Sequence, residues 1–207
     1  MKAIILDGYG TLVQISRKRY PYRHIENLDR MSKHSFYGYV LTRDLSHEQV
    51  LAAYRVPEAL AKRSIVKMQK ELASVQPYPE ALEFLRHLDA QGIAWRILSN
   101  LATPYCKALT DALGITDERC FFSCREGLLK PESGFFDLAA RSLGLPANEI
   151  LMVGDAKRAD VEGALHAGMH AFHLQRPAMD LWQALDHFQA LSRIKPLADF
   201  HASSLSR

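Results

Sequence analysis

Three short, mainly apolar runs each stop on polar residues. Ala3-Ile4-Ile5-Leu6 ends at Asp7, Ala94-Trp95-Arg96-Ile97-Leu98 at Ser99-Asn100, and Ile150-Leu151-Met152-Val153 at Gly154-Asp155. Their length, their aliphatic content and the turn residues around them predict buried strands. Helical periodicity fills the intervals over 80–90, 104–113, 135–143 and 161–167, and a glycine follows each: Gly92, Gly114, Gly144 and Gly168. That alternation predicts repeated βα units, hence a parallel sheet with helices on both faces. In such a sheet ligands bind at the carboxyl edge, so the polar residues that end the runs are expected at one site. Weaker strand signals lie at 120–123 and 171–174, a last helix around 181–188, and a frayed tail at 201–207.

After Val13 the strand pattern gives way to a polar, helix-favouring stretch that lasts until about Gln76. A first helix is expected from Pro21 through Ile25, Leu28 and Met31, whose apolar residues fall three apart. Ser46 with Gln49 three residues later is a capping-box signature for a second, carrying Val50, Leu51 and Tyr54. Pro57 suits the first turn of a third, with Leu60, Ile65, Met68, Leu72 and Val75 as its apolar stripe. No strand is expected there, and Pro77-Tyr78-Pro79 closes the segment as a stiff linker. The organisation expected is a three-layer, Rossmann-like α/β core over 1–14 and 77–207, with a small all-helical domain over 15–76.

A chain of 207 residues is long enough for one such core carrying an insertion. A net charge of +3 is too small to imply nucleic acid, and the basic residues Arg17, Lys18, Arg19 and Arg23 are interleaved with Tyr20 and Tyr22 and followed by Glu26 and Asp29. They fit a solvated rim that draws in an anionic small molecule. Cys106, Cys120 and Cys124 have neither zinc nor Cys-x-x-Cys spacing and are expected as free thiols of a reducing, cytoplasmic compartment. No apolar stretch reaches the roughly 20 residues of a membrane span. A monomer or a homodimer is equally compatible with these features.

Four motifs in order resemble those of the haloacid dehalogenase superfamily, whose members are aspartate-nucleophile hydrolases and mostly phosphatases. They are Asp7-Gly8-Tyr9-Gly10-Thr11-Leu12, Ile97-Leu98-Ser99-Asn100, Lys130-Pro131, and Val153-Gly154-Asp155 with Asp160. The family-like Gly163-Ala164 and Ala167-Gly168-Met169 follow. The resemblance implies that the insertion is a helical cap and that Asp7 is the nucleophile. It implies Mg²⁺ held by Asp7, the Tyr9 backbone carbonyl, Asp155 and Asp160. Such a metal is chemically reasonable, because a carboxylate and a phosphate do not approach each other unaided and hard oxygen donors suit Mg²⁺. By the same resemblance Ser99, Asn100 and Lys130 bind the transferring group, Lys130 keeps Asp7 ionised, and Thr11 orients Asp7 or donates to the same oxygens.

The chain departs from the phosphatase pattern at Tyr9, where those enzymes carry a second aspartate as general acid and base. That work is typically worth about 10²- to 10⁴-fold, and a tyrosine of pKa about 10 is a poor substitute. Tyrosine there is what the superfamily's metal-free 2-haloacid dehalogenases carry, but Asp155 stands where they have serine and Phe136 where they have tyrosine. Three readings follow: a Mg²⁺-dependent phosphatase on a small phosphorylated metabolite, slowed by Tyr9 or selective for leaving groups that need no proton; a metal-independent dehalogenase; and a non-catalytic protein that keeps the fold for binding. Selectivity is expected from the insertion, with Arg17, Arg19, Arg23, His24, Tyr39 and Arg43 as candidates.

Overall fold

The computed structural model of the protein describes residues 1–23, 25 and 33–193. In chain order its elements are β1 (Ala3–Leu6), β2 (Val13–Ile15), α1 (Lys33–Leu41), α2 (His47–Ala53), α3 (Glu58–Leu72), β3 (Val75–Pro77), α4 (Ala81–Ala90) and β4 (Ala94–Ser99). There follow α5 (Thr103–Leu113), β5 (Cys120–Phe122), α6 (Ser123–Glu126), α7 (Ser133–Leu143), β6 (Ile150–Gly154), a π-helical turn (Lys157–Glu162), α8 (Gly163–His166), β7 (His170–His173) and α9 (Leu181–Arg193). Five strands form one parallel sheet in the order β5-β4-β1-β6-β7. This is the α/β Rossmann-like fold expected from the alternation.

Strand β1 lies at the centre, and none of its four residues is exposed to solvent. That double-sided burial explains why it is a continuous apolar run and not an alternating one. Ile4 and Leu6 face a core shared with α4, α5 and α9, whereas Ala3 and Ile5 face one built on Phe135 and Phe136 of α7 and Ala164 of α8. Leu6 pairs in register with Ile97 of β4 and Val153 of β6, and these strands run on two residues and one residue further, to Ser99 and Gly154, so the three carboxyl ends form one edge.

Helices α1–α3 share a third apolar cluster around Phe36, Val50, Leu51 and Met68, which Ala102 joins from the loop before α5. Ser46 caps α2 with a complete capping box to Gln49. Three expectations need correction here. Val13–Ile15 and Val75–Pro77 are strands that pair antiparallel, so the stretch is not purely helical and Pro77 ends a ribbon instead of opening a linker. With three residues on each side and about sixty between them, this pairing has no local signature. The helix expected from Pro21 does not start there: Pro21, Tyr22, Arg23 and Ile25 form turns, and Leu28 and Met31 lie outside the described residues. The helix that does occur, α1, buries Phe36 and Val40 one turn apart but is only nine residues long, contains Gly38 and has Tyr37, Tyr39 and Leu41 spread round it, so its apolar side does not stand out in the sequence. On α3 the predicted Ile65, Met68 and Leu72 pack into the third apolar cluster, the buried positions are Ser64, Met68 and Glu71, and Val75 lies beyond the helix in β3. The expected tail at 201–207 also lies outside the described residues.

His47 at the start of α2 is buried, with Nε2 2.9 Å from Ser64 Oγ. The Ser64 hydroxyl donates to the Pro21 carbonyl at 2.7 Å, so Nε2 carries the proton and Nδ1 is left without a partner among the described residues. Burial, against weaker opposing effects of Glu48 and Ser64, lowers the His47 pKa from its ordinary 6.5. A histidine kept neutral by folding contributes stability that is complete above that value and is lost as pH falls below it, because the unfolded chain then binds the extra proton. The melting temperature should therefore drop between about pH 7.5 and about pH 5.5, and drop less in His47→Gln. An identical drop in the variant would assign the effect to other groups.

Among the described residues, no helix is long and apolar enough to cross a membrane.

Candidate active site

Asp7 follows β1 directly and is kept in line with the sheet by its N–H, which donates to the Val153 carbonyl at 2.9 Å. The chain then folds back tightly, Leu12 and Val13 both donating to the Gly8 carbonyl at 2.8 and 3.0 Å. Two glycines make this turn possible. A Cβ at Gly8 would meet Leu109 at 2.3 Å and Ser99 Oγ at 3.0 Å. Gly10 has φ +92°, and a Cβ there would meet the Asp155 carboxylate at 2.4 Å. The turn is thus packed between the ends of β4 and β6.

Two donors converge on one oxygen of Asp7. Ser99 Oγ lies 2.9 Å and Lys130 Nζ 2.6 Å from Oδ1. Oδ2 receives no hydrogen bond among the described residues. A carboxylate held at one oxygen and free at the other is oriented for attack by the second. Lys130 is buried at 5% exposure. Its ammonium also lies 2.7 Å from Asp160 Oδ1. Burial alone would lower the Lys130 pKa, but Asp7 and Asp160 outweigh it and hold the ammonium protonated. Asn100 is placed differently from the expectation that it contacts substrate. Its Nδ2 donates to the Lys130 carbonyl and its Oδ1 accepts from the Lys130 N–H, each at 2.9 Å. Both ends of its amide are therefore spent on holding the lysine's backbone.

Asp155 and Asp160 complete the cluster. Asp160 sits inside the π-helical turn after β6, a backbone form frequent at functional sites. Its Oδ2 accepts the Ala156 N–H at 2.9 Å, and it rests against Gly154, where a Cβ would come within 2.2 Å of the carboxylate. One ligand oxygen from each of Asp7, Asp155 and Asp160 lies within 4.8 Å of the others, Asp155 being the exposed member. Burial and the charge of Asp7 raise the pKa of Asp160 to about 6, against the opposing pull of Lys130. The same two causes raise that of Asp155. Two carboxylates, Asp7 and Asp160, thus share one ammonium, and Asp155 adds a third beside them. Only oxygen donors converge, and they carry more negative charge than Lys130 neutralises, so this set fits a hard divalent cation. The Tyr9 carbonyl, also expected as a metal ligand, accepts no backbone hydrogen bond among the described residues and remains open to such a role.

The side chains of Tyr9 and Thr11 are not part of this set. Tyr9 Oη donates to the Tyr105 carbonyl at 3.0 Å, and the two rings meet edge to face with centroids 5.8 Å apart. Burial is the main cause that raises the Tyr9 pKa, so the hydroxyl keeps its proton. Thr11 is fully buried and its hydroxyl has no partner among the described residues, so no hydrogen bond joins it to Asp7. Its carbonyl instead accepts from Arg176 Nη2 at 2.6 Å.

One residue escaped the sequence reading. Glu71, on the buried stripe of α3, accepts the N–H groups of Arg19 and Tyr20 and the Tyr105 hydroxyl, the latter at 2.7 Å. It ties the loop after β2 and the end of α3 to α5. A carboxylate on the face defined by Ser64 and Met68 was the available signal. A cavity of about 680 Å³ has Tyr9, Asn100, Glu71 and Tyr105 in its wall, whereas Asp7, Ser99, Lys130, Asp155 and Asp160 do not line it. Of the six selectivity candidates only Arg23 lines it; Arg43 lies over the Tyr39 ring at 4.3 Å, Arg17 and Arg19 are exposed elsewhere, and His24 lies outside the described residues.

Residues 1–168 match the haloacid dehalogenase-like hydrolase family. The chain is 38% identical over 93 residues to the ribulose-1,5-bisphosphate 5-phosphatase of Halopiger xanaduensis, which covers 44% of this chain and 39% of that protein. The chain spans about half the length, or less, of the curated relatives it matches. Among solved structures, a HAD phosphatase from Thermococcus onnurineus has a TM-score of 0.57 at 24% identity, covering 87% of this chain and 91% of that one. A 2-haloacid dehalogenase from Pseudomonas syringae pv. Tomato DC3000 also has a TM-score of 0.57, at 20% identity, covering 84% and 86%. At such identities these two likenesses are of fold alone.

Proposed function

Since the chain belongs to the haloacid dehalogenase-like hydrolases, we propose that it is a Mg²⁺-assisted phosphatase of small phosphorylated substrates, working through an aspartyl intermediate on Asp7. The observation that carries this reading is the crowding of the carboxylates of Asp7, Asp155 and Asp160 within 4.8 Å of one another, with the Lys130 ammonium paired to Asp7 and Asp160. The curated relatives, among them hexitol, ribulose-bisphosphate and phosphoglycolate phosphatases, support it.

In this reading Asp7, Asp155, Asp160 and the Tyr9 carbonyl hold the cation, which supplies charge neutralisation between nucleophile and phosphate. Ser99 and Lys130 fix Asp7 Oδ1 so that Oδ2 faces the phosphorus, and the lysine offsets charge on the transferring group. Asn100 keeps that lysine in place, and the segment over 15–76 acts as a cap that closes the cavity. Tyr9, committed to the Tyr105 carbonyl, transfers no proton.

Assaying a panel of phosphate esters with Mg²⁺ and with EDTA tests this. Turnover should require the metal and vanish in Asp7→Asn; metal-independent turnover, or none on any phosphate, would contradict it. Tyr9 supports a second reading, the metal-independent 2-haloacid dehalogenase. That activity requires halide release from L-2-chloropropionate in EDTA, and the Asp155 carboxylate, which would repel a carboxylate substrate, weighs against it.

A further inference from the structure

The cavity lined by Tyr9 and Asn100, the sequence neighbours of the Asp7 turn and of Ser99, has a wall unlike one built for a sugar or polyol phosphate. Tyr9, Tyr20, Tyr22, Tyr37 and Tyr105 contribute to it, with aliphatic side chains between them. Most of its polar groups are already committed to protein partners. The Tyr9 hydroxyl is bonded to Tyr105 O, the Tyr105 hydroxyl to Glu71 Oε1, and Glu71 Oε2 to two backbone N–H groups. Both ends of the Asn100 amide are engaged by Lys130. A polyol would bury most of its hydroxyls against groups whose hydrogen bonds are already made, at a net cost, the Tyr22 hydroxyl being the lining group that has no partner among the described residues. An aromatic ring would meet tyrosine rings at the edges and faces they present.

The absence of a proton donor at residue 9 points the same way. With the Tyr9 hydroxyl fixed on Tyr105, the leaving oxygen has to depart as its anion. An aliphatic alkoxide leaves about as poorly as hydroxide, the anion of water with a pKa of about 16, whereas a phenol has a pKa of about 10. The geometry points to phosphate monoesters of aromatic alcohols as the substrate class, an inference that rests on the phosphatase reading above.

In the step implied, Asp7 Oδ2 forms a bond to phosphorus while the bond from phosphorus to the aryl oxygen breaks, its electron pair leaving on the phenolate. Water then attacks the phosphorus and the Asp7–phosphorus bond breaks, its pair returning to the carboxylate. One proton of that water ends on the phenolate, so one ester and one water give one phenol and one hydrogen phosphate.

Steady-state kinetics with Mg²⁺ on phenyl phosphate, benzyl phosphate and glycerol 3-phosphate separate ring recognition from leaving-group acidity. Benzyl phosphate should share the KM of phenyl phosphate but have a kcat lower by about 100-fold or more, the scale of the missing acid catalysis. Glycerol 3-phosphate should show a KM higher by about ten-fold, and phenylphosphonate should inhibit about ten-fold more tightly than methylphosphonate. Equal or better kcat/KM on glycerol 3-phosphate, equal kcat on benzyl and phenyl phosphate, or equal inhibition by the two phosphonates would overturn the inference and leave the phosphatase reading intact. Failure to hydrolyse any of the three esters would instead overturn the phosphatase reading.

Discussion

Replacing Tyr9 by aspartate should raise kcat on alkyl phosphates by about 10²- to 10⁴-fold, the usual worth of a positioned general acid and base. The argument is one of position. Residue 9 lies two residues beyond Asp7 in the turn that Gly8 and Gly10 allow, and its hydroxyl is committed to the Tyr105 carbonyl at 3.0 Å. A carboxylic acid there is too short to reach Tyr105 and is free to serve the leaving oxygen. Phenyl phosphate should gain much less, since its leaving group needs no proton. Tyr9→Phe serves as the comparison: it removes the hydroxyl without adding an acid and should leave alkyl phosphates as poor as before. A comparable gain in Tyr9→Phe would show that relief of packing, not acid catalysis, was responsible.

Lys130→Met should be the most destabilising single change at the site. The ammonium lies 2.6 Å from Asp7 and 2.7 Å from Asp160, and all three groups are buried. Removing one partner of a buried ionic set leaves uncompensated charge, typically costing about 3–5 kcal/mol. Urea unfolding should show that loss, and turnover should fall by at least about 10²-fold because the charge on the transferring group loses its counterion. Mg²⁺ should restore part of the stability, since a ligand that binds only the folded state at about 100 times its Kd contributes about 2.7 kcal/mol. If Lys130→Met were as stable as the parent and indifferent to Mg²⁺, the three carboxylates would not form the charged set described here.

The parts of the site that could be read from the sequence share one property: each ends a parallel strand or stands in the loop beside one. Asp7, Ser99 and Asp155 come together because β1, β4 and β6 are apolar runs that stop on polar residues, and the parallel register brings their carboxyl ends to one edge. Lys130 came with the ordered motif, and its burial between two carboxylates follows from the loop before α7 crossing that edge. What escaped reading is nonlocal. Asn100 looks like a ligand-binding amide in sequence and is a clasp on Lys130, thirty positions away. Glu71 joins three segments across the cavity, and only its place on a buried helix face marked it. The β2–β3 ribbon depends on partners about sixty residues apart, too short and too distant for any periodicity to show. In the region before α2 the chain relies on turns and on a short helix whose apolar residues are spread round it, so tertiary packing and not local pattern decides its structure.

The central claim is that Asp7 becomes covalently attached to the transferred group. Acid quench during the first turnover of phenyl phosphate with Mg²⁺, borohydride reduction and peptide mass spectrometry test it directly, because reduction of an aspartyl phosphate leaves homoserine in its place. The account predicts homoserine at residue 7, dependent on both the ester and the metal. Phosphate release with residue 7 unmodified throughout, or the modification on any other carboxylate, would contradict it.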